Sequence, residues 1–204
     1  MSRAIIAVKT TDSFWHPVWE KYYLPHFDHA EVIPLDSRKY VPGMATWKHI
    51  TTLINASLVK MLKDYDLVCV ADIDEILVPD PDKYQDFGDY MDRFTGKHTR
   101  AIGYNIVQDY EDEPIDLSKR ITDQRTMWSR DRLYDKPVLT RESFLYKIGQ
   151  HNCTKLVQRD EDLILFHLRD ADRQAAWDRK RTNVKGYEER YSMACEIPEK
   201  WRVI

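Results

Sequence analysis

Leu67-Val68-Cys69-Val70-Ala71-Asp72-Ile73-Asp74-Glu75-Ile76-Leu77-Val78 is an apolar run that stops at two acids separated by one isoleucine. From Leu67 to Ala71 there is no polar residue and valine stands at alternate positions, as in a central strand covered on both faces. A helical pattern ends just upstream at Asp64-Tyr65-Asp66, which leaves only a short connection and favours a strand over a second helix. In open α/β sheets, ligands collect at the carboxyl ends of strands, where Asp72 and Asp74 are expected. Side chains at i and i+2 of an extended segment share a side, so the two carboxylates can converge on one cation while Ile73 turns into the core. Such a pair suits Mg²⁺ or Mn²⁺ that keeps its other positions for water and phosphate oxygens. A strand-end turn with solvent-facing acids explains a bare Asp-x-Asp triplet equally well, so the flanking sequence has to decide.

The chain has 204 residues, 43% hydrophobic and 32% charged, which fits one soluble domain with a sizeable core. A net charge of -3 gives no electrostatic footprint for nucleic acid. Cys69, Cys153 and Cys195 are widely spaced and odd in number, which argues against a disulfide framework and for a reducing setting. No apolar run approaches membrane-spanning length and the N-terminus lacks a signal-peptide pattern, so the expected location is cytoplasmic.

Upstream, Ala4–Val8 reads as a first strand followed by a polar loop, and Phe14 to Tyr23 as a helix capped by Asp12 or Ser13. Glu31–Leu35 is a second strand, and strand-helix-strand implies a parallel pair. Residues 37–45 form a loop, and Thr46 is the expected N-cap of a helix whose apolar stripe runs from Trp47 to Leu62. Downstream, a helix is expected over Tyr84–Phe94, ended by Gly96, then a strand over Arg100–Gln108 and an acidic loop to Glu113. Pro114–Leu133 shows no periodicity and is expected to be a long functional loop. Short strands follow at Lys136–Arg141, Ser143–Lys147 and Asp162–Arg169, with a Gly149-Gln150-His151 turn, a charged helix over Ala171–Lys185, and a tail whose Trp201 packs back.

Val70-Ala71-Asp72-Ile73-Asp74-Glu75-Ile76-Leu77, Tyr104-Asn105-Ile106-Val107-Gln108, Glu113-Pro114-Ile115-Asp116-Leu117, Gln124-Arg125, Lys136-Pro137-Val138-Leu139-Thr140-Arg141, Gly149-Gln150-His151 and Phe166-His167-Leu168-Arg169 together resemble, in order and spacing over residues 4–181, the small family-2-like glycosyltransferases of GT-A fold. The resemblance implies a single α/β domain with a Rossmann-like, mixed but mostly parallel sheet flanked by helices. Residues 1–78 would form a donor-binding half, 79–181 an acceptor and metal-completing half, and 182–204 a C-terminal tail. It further implies an inverting, metal-dependent transferase that uses a nucleotide diphosphate sugar, a UDP-sugar among the expected donors, and a glycan or other hydroxyl acceptor.

On that resemblance Asp72 and Asp74 hold Mn²⁺ or Mg²⁺, completed by a late histidine, His167 first and His151 second. Lys136, Arg141 and Arg169 are candidates for the diphosphate or sugar. Thr10, Asp12, Asp36 and Lys48 are candidates for the nucleotide; capping and turn roles compete for Asp12 and Asp36, and plain exposure for Lys48. A general base for the acceptor hydroxyl is sought at Asp109 and Glu113, with Glu111 behind them. Here the chain departs from the family, offering Asp112-Glu113-Pro114 where Gly-Glu-Pro is expected. Two other readings keep the same acids: a nucleotidyl- or phosphoryl-transfer enzyme, which the missing glycine-rich lysine loop disfavours, and a non-catalytic carbohydrate-binding module.

Overall fold

The structure is a computed structural model that describes residues 1–10, 14–35, 44–174 and 184–204. In chain order its regular elements are β1 (Arg3–Thr10), α1 (His16–Tyr23), β2 (His29–Leu35), α2 (Met44–Met61), β3 (Leu67–Val70), β4 (Glu75–Pro79), α3 (Phe87–Arg93), β5 (His98–Val107), α4 (Ile121–Gln124), β6 (Met127–Arg130), β7 (Pro137–Thr140), β8 (Arg159–His167), α5 (Val184–Ser192) and β9 (Cys195–Glu196). All described strands join one sheet of order β2-β1-β3-β7-β5-β6-β9, with β8 against β4 and β5.

The β1-α1-β2 unit is parallel as expected, and β3 also runs parallel to β1. The expectation of a mostly parallel sheet fails. Three strand pairings are parallel, the third being β5 with β8. Five are antiparallel: β3 with β7, β4 with β8, β5 with β6, β5 with β7, and β6 with β9. Parallel neighbours need a crossover of a dozen residues or more, usually a helix. Two links beyond β3 are too short for that: residues 71–74 join β3 to β4, and residues 131–136 join β6 to β7. The pairings nevertheless leave β1, β2, β3, β5 and β8 pointing the same way, so their carboxyl ends share one edge.

Both faces of this sheet are covered, which explains the uninterrupted burial of β3. On one face, Trp15, Trp19 and Tyr23 pack with Ile5, Leu67 and Cys69; their spacing of four residues is one helical face. On the other, Ile50, Ile54, Leu58 and Met61 of α2 pack with Ala4, Ile6, Val68 and Val70. Ile73 is buried in the first cluster, as its place between the two acids requires.

Aromatic groups of α1 also fasten the chain after β3. Trp19 Nε1 donates to the Ala71 carbonyl at 3.2 Å. Tyr23 Oη donates to the Glu75 carbonyl at 3.2 Å and accepts from the Leu77 amide at 2.8 Å. Tyr23→Phe would leave the buried Leu77 N–H without its acceptor, a loss of about 1–3 kcal/mol. Urea denaturation of the variant checks this expectation.

Other expectations also shift. Thr46 lies inside α2 rather than capping it, and Trp47 is 48% exposed instead of joining the apolar stripe. Asp86 caps α3, its side chain accepting from the Asp89 amide, and the helix ends at Phe94 before Gly96 is reached. Residues 114–133 are no long loop: α4 and β6 lie there, and β6 pairs with the far end of the ten-residue β5. Four-residue elements carry too little periodicity to be read. Ser143–Lys147 holds one bridge, Tyr146 to Cys153, instead of a strand. The expected tail contains α5 and β9, with Trp201 buried. Of the helix expected over Ala171–Lys185, residues 175–183 lie outside the described residues.

Candidate functional site

The turn at residues 71–74 lies where β3 reaches the shared carboxyl edge, and three neighbouring strands bring side chains to it. The β4–β8 register sets His167 opposite Glu75, and the Leu168 amide donates to the Asp74 carbonyl at 2.7 Å. His167 Nε2 consequently stands 3.7 Å from Asp74 Oδ2. The β5–β8 register sets Asn105 beside the same histidine.

Asn105, fully buried, fixes the state of that imidazole. Its Nδ2 donates to Asp131 Oδ2 at 3.0 Å, a carboxylate that can only accept. The amide oxygen therefore faces His167 Nδ1 at 2.8 Å, and Nδ1 must carry the proton. Nε2 is left with its lone pair turned toward Asp74, the form in which histidine binds metals. Burial keeps the ring below the usual histidine range, which favours the same neutral state. Tyr134 stacks on it with ring centroids 3.9 Å apart and planes at 24°.

Lys136 enters just before β7. Continuing the β3–β7 register brings it level with Asp72. Its side chain is 2% exposed, with Nζ 2.6 Å from Glu75 Oε2 and 3.6 Å from Asp72 Oδ2. Burial opposes its charge, but Asp72 and Glu75 outweigh burial and hold the ammonium protonated. Burial pushes the Glu75 carboxyl above its usual range, with Lys136 opposing. Glu75 Oε2 also accepts from the Asp72 amide at 2.8 Å, and Asp72 Oδ1 from the Val8 amide at 3.4 Å. Asp72, Asp74 and Glu75 thus bring three carboxyl groups to this turn, with Lys136 set between Asp72 and Glu75.

Among the described residues no set of three His, Cys, Asp or Glu side chains converges as a formed metal cage. Asp74 and His167 face one another, while Asp72 is tied to Lys136. The donor set of carboxylate oxygen and neutral imidazole nitrogen fits Mn²⁺, which accepts both, with the remaining positions left to water or ligand oxygens.

The other predicted residues fall into three groups. His151 belongs to the site's margin: its ring meets Tyr134 edge-to-face at 5.6 Å, and burial, with Lys136 nearby, lowers its pKa. Arg169 also belongs there, 22% exposed and within electrostatic reach of Tyr134 and Asp74. Thr10 ends β1 at the same edge. Asp109 and Glu113 follow β5 at this edge too. Asp109 Oδ1 accepts from Tyr191 Oη at 3.1 Å, and Glu113 is exposed, its carbonyl held by the buried Arg125 at 2.9 Å. Lys48 is exposed on α2. Arg141 lies at the opposite edge, because β7 runs away from the site; its guanidinium donates to the Phe94 carbonyl at 2.6 Å. Asp12 and Asp36 are outside the described residues.

Glu75, Asn105, Asp131 and Tyr134 were not anticipated. Glu75 carried a legible signal, a charged residue opening an apolar run, whereas the other three come together only through β5 pairing with β6 and β8. Gly103 shows how tightly Tyr134 is seated: a Cβ there would lie 2.3 Å from Tyr134 Cβ and 2.5 Å from its carbonyl carbon. Gly103→Ala should push the 132–134 turn away at a cost of about 1–3 kcal/mol and loosen the ring from His167. Thermal unfolding together with Mn²⁺ titration would register both effects.

A cleft of about 570 Å³ lined by Arg3, His26, Asp28, Asp86, Asp89 and Asp92 opens elsewhere, by the start of β1. Arg3 is already paired with Asp92 there, and the surplus of carboxylates would repel a diphosphate. The carboxyl edge therefore remains the candidate site. No protein-family model matches the chain, and no curated protein matches its sequence.

Proposed function

We propose that the protein is a metal-dependent glycosyltransferase that moves a sugar from a nucleotide diphosphate donor to an acceptor hydroxyl. The observation that carries this reading is the imidazole of His167, held by Asn105 with its Nε2 lone pair toward Asp74 at the end of β3. Metal-ligating histidines almost always carry such a partner on the ring nitrogen turned away from the ion.

Asp74 and His167 would hold a divalent ion, with Asp72 beside them. When bound, the ion supplies Lewis-acid neutralisation of the charge that builds on the departing nucleotide diphosphate. Lys136 pairs with Asp72 and Glu75 and fixes them in place. Tyr134 covers one face of His167 and keeps water from it. Arg169 stands ready for phosphate oxygens at the margin. A carboxylate of the loop after β5, Asp109 or Glu113, would accept the acceptor hydroxyl's proton as its oxygen attacks the anomeric carbon from the face opposite the leaving group.

Incubation with Mn²⁺ and a panel of nucleotide sugars tests the reading. Metal-dependent release of free nucleoside diphosphate from one donor is expected. Turnover of nucleoside triphosphates would instead indicate nucleotidyl or phosphoryl transfer, and sugar binding indifferent to metal would indicate a binding module.

A further inference from the structure

The Gly149-Gln150-His151 turn is the tip of a hairpin arm whose outer side has no use in the site. The arm is closed by the Tyr146–Cys153 bridge and by the Lys147 amide donating to the Asn152 carbonyl at 2.8 Å. Its inner side is core: Phe144, Tyr146, Cys153 and Val157 pack against the α2 face of the sheet. Asn55 of α2 clamps it, donating to the Tyr146 carbonyl at 3.1 Å and accepting from its amide at 2.8 Å. At the tip Gly149 and Gln150 both take positive φ, 84° and 63°, a fixed turn in which Ile148 is carried outward.

On such an anchored arm the outer side should be polar, yet it is not. Leu145 is 49% exposed, Ile148 47% and Leu156 95%. Single exposed leucines are ordinary, but three on one rigid arm mark an interaction surface. The charge around them is one-sided. Lys147 and Lys155 stand on the arm itself and Lys97 reaches it through Glu142, three lysines against one acid, in a chain whose net charge is -3. Glu142 itself sits between Lys97 at 2.6 Å and Lys155 at 3.5 Å.

Apolar side chains on a fixed arm, flanked by lysines, match a layer with an anionic surface and an apolar interior. We infer that this arm docks the protein on an anionic phospholipid membrane, with Leu145, Ile148 and Leu156 entering the interfacial region and Lys147 and Lys155 meeting the headgroups. The inference goes beyond the proposed activity and needs neither donor nor metal to be tested.

Co-sedimentation with vesicles of equimolar phosphatidylglycerol and phosphatidylcholine, and with vesicles of phosphatidylcholine alone, is the experiment. The protein should pellet with the first at low salt, weakly or not at all with the second, and be released as salt rises. Leu145→Ser, Ile148→Ser and Leu156→Ser combined should weaken that binding at least tenfold without shifting the melting temperature, since none of the three packs in the core. Lys147→Glu should weaken it through charge alone. Failure to pellet with anionic vesicles, or unchanged pelleting of the triple variant, overturns the inference. So does concentration-dependent dimerisation that the triple variant abolishes, which would make a second copy the occupant.

Discussion

Lys136→Met should destabilise the protein by about 3–5 kcal/mol, the usual cost of removing one partner from a buried ion pair. At ~2–4 °C per kcal/mol for a chain of this size, the melting temperature should fall by roughly 6–20 °C. Methionine nearly conserves volume, so the loss is electrostatic: Glu75, 1% exposed, would keep its carboxyl with no cation beside it. The penalty should depend on pH. Burial raises the folded-state pKa of Glu75 above its unfolded value, so the protonated form carries the stability, which is lost as pH rises through the folded pKa. The variant should therefore lie closer to the parent at about pH 5 than at about pH 8. Adding Glu75→Gln should restore most of the loss by removing the stranded charge. A Lys136→Met protein within about 1 kcal/mol of the parent at both pH values would show that the pair contributes little.

The second large effect concerns activity. Asp74→Ala and His167→Ala should each reduce metal-dependent donor cleavage on the order of 10³-fold, because a bound ion contributes several kcal/mol of charge stabilisation at 1.36 kcal/mol per decade. Asn105→Ala removes no ligand, only the acceptor that holds His167 Nδ1, and should weaken Mn²⁺ affinity about 10–100-fold. Calorimetric titration with Mn²⁺ separates these cases, since Arg141→Ala, at the opposite edge, should bind like the parent. Full activity of His167→Ala would remove the histidine from the metal site.

The residues gathered at the candidate site were legible in the sequence wherever their signal was local. Asp72 and Asp74 could be read because an apolar run and its stop lie in one stretch, and His167 because it ends another such run. Lys136 could be named but not placed: only the reversed direction of β7 sets it beside Asp72 while carrying Arg141, five residues on, to the far edge. The same reversal defeats the expectation of a mostly parallel sheet. Residues 114–133 looked structureless because β6 has four residues and draws its order from β5, which lies far from it along the chain. Asn105 looked like one more polar residue on a strand; its role exists only where β5 lies between Asp131 and His167.

Because β5 is the hub to which β6, β7 and β8 attach, the polar floor at its carboxyl end is welded into the sheet. Anyone wishing to retarget the protein by directed evolution should randomise the exposed positions 110 and 111 and leave 105, 109, 113, 136, 149 and 167 alone. Diversity there would leave the buried hydrogen bonds and ion pair of the floor intact, while diversity in the floor would break them and mostly yield clones that no longer fold.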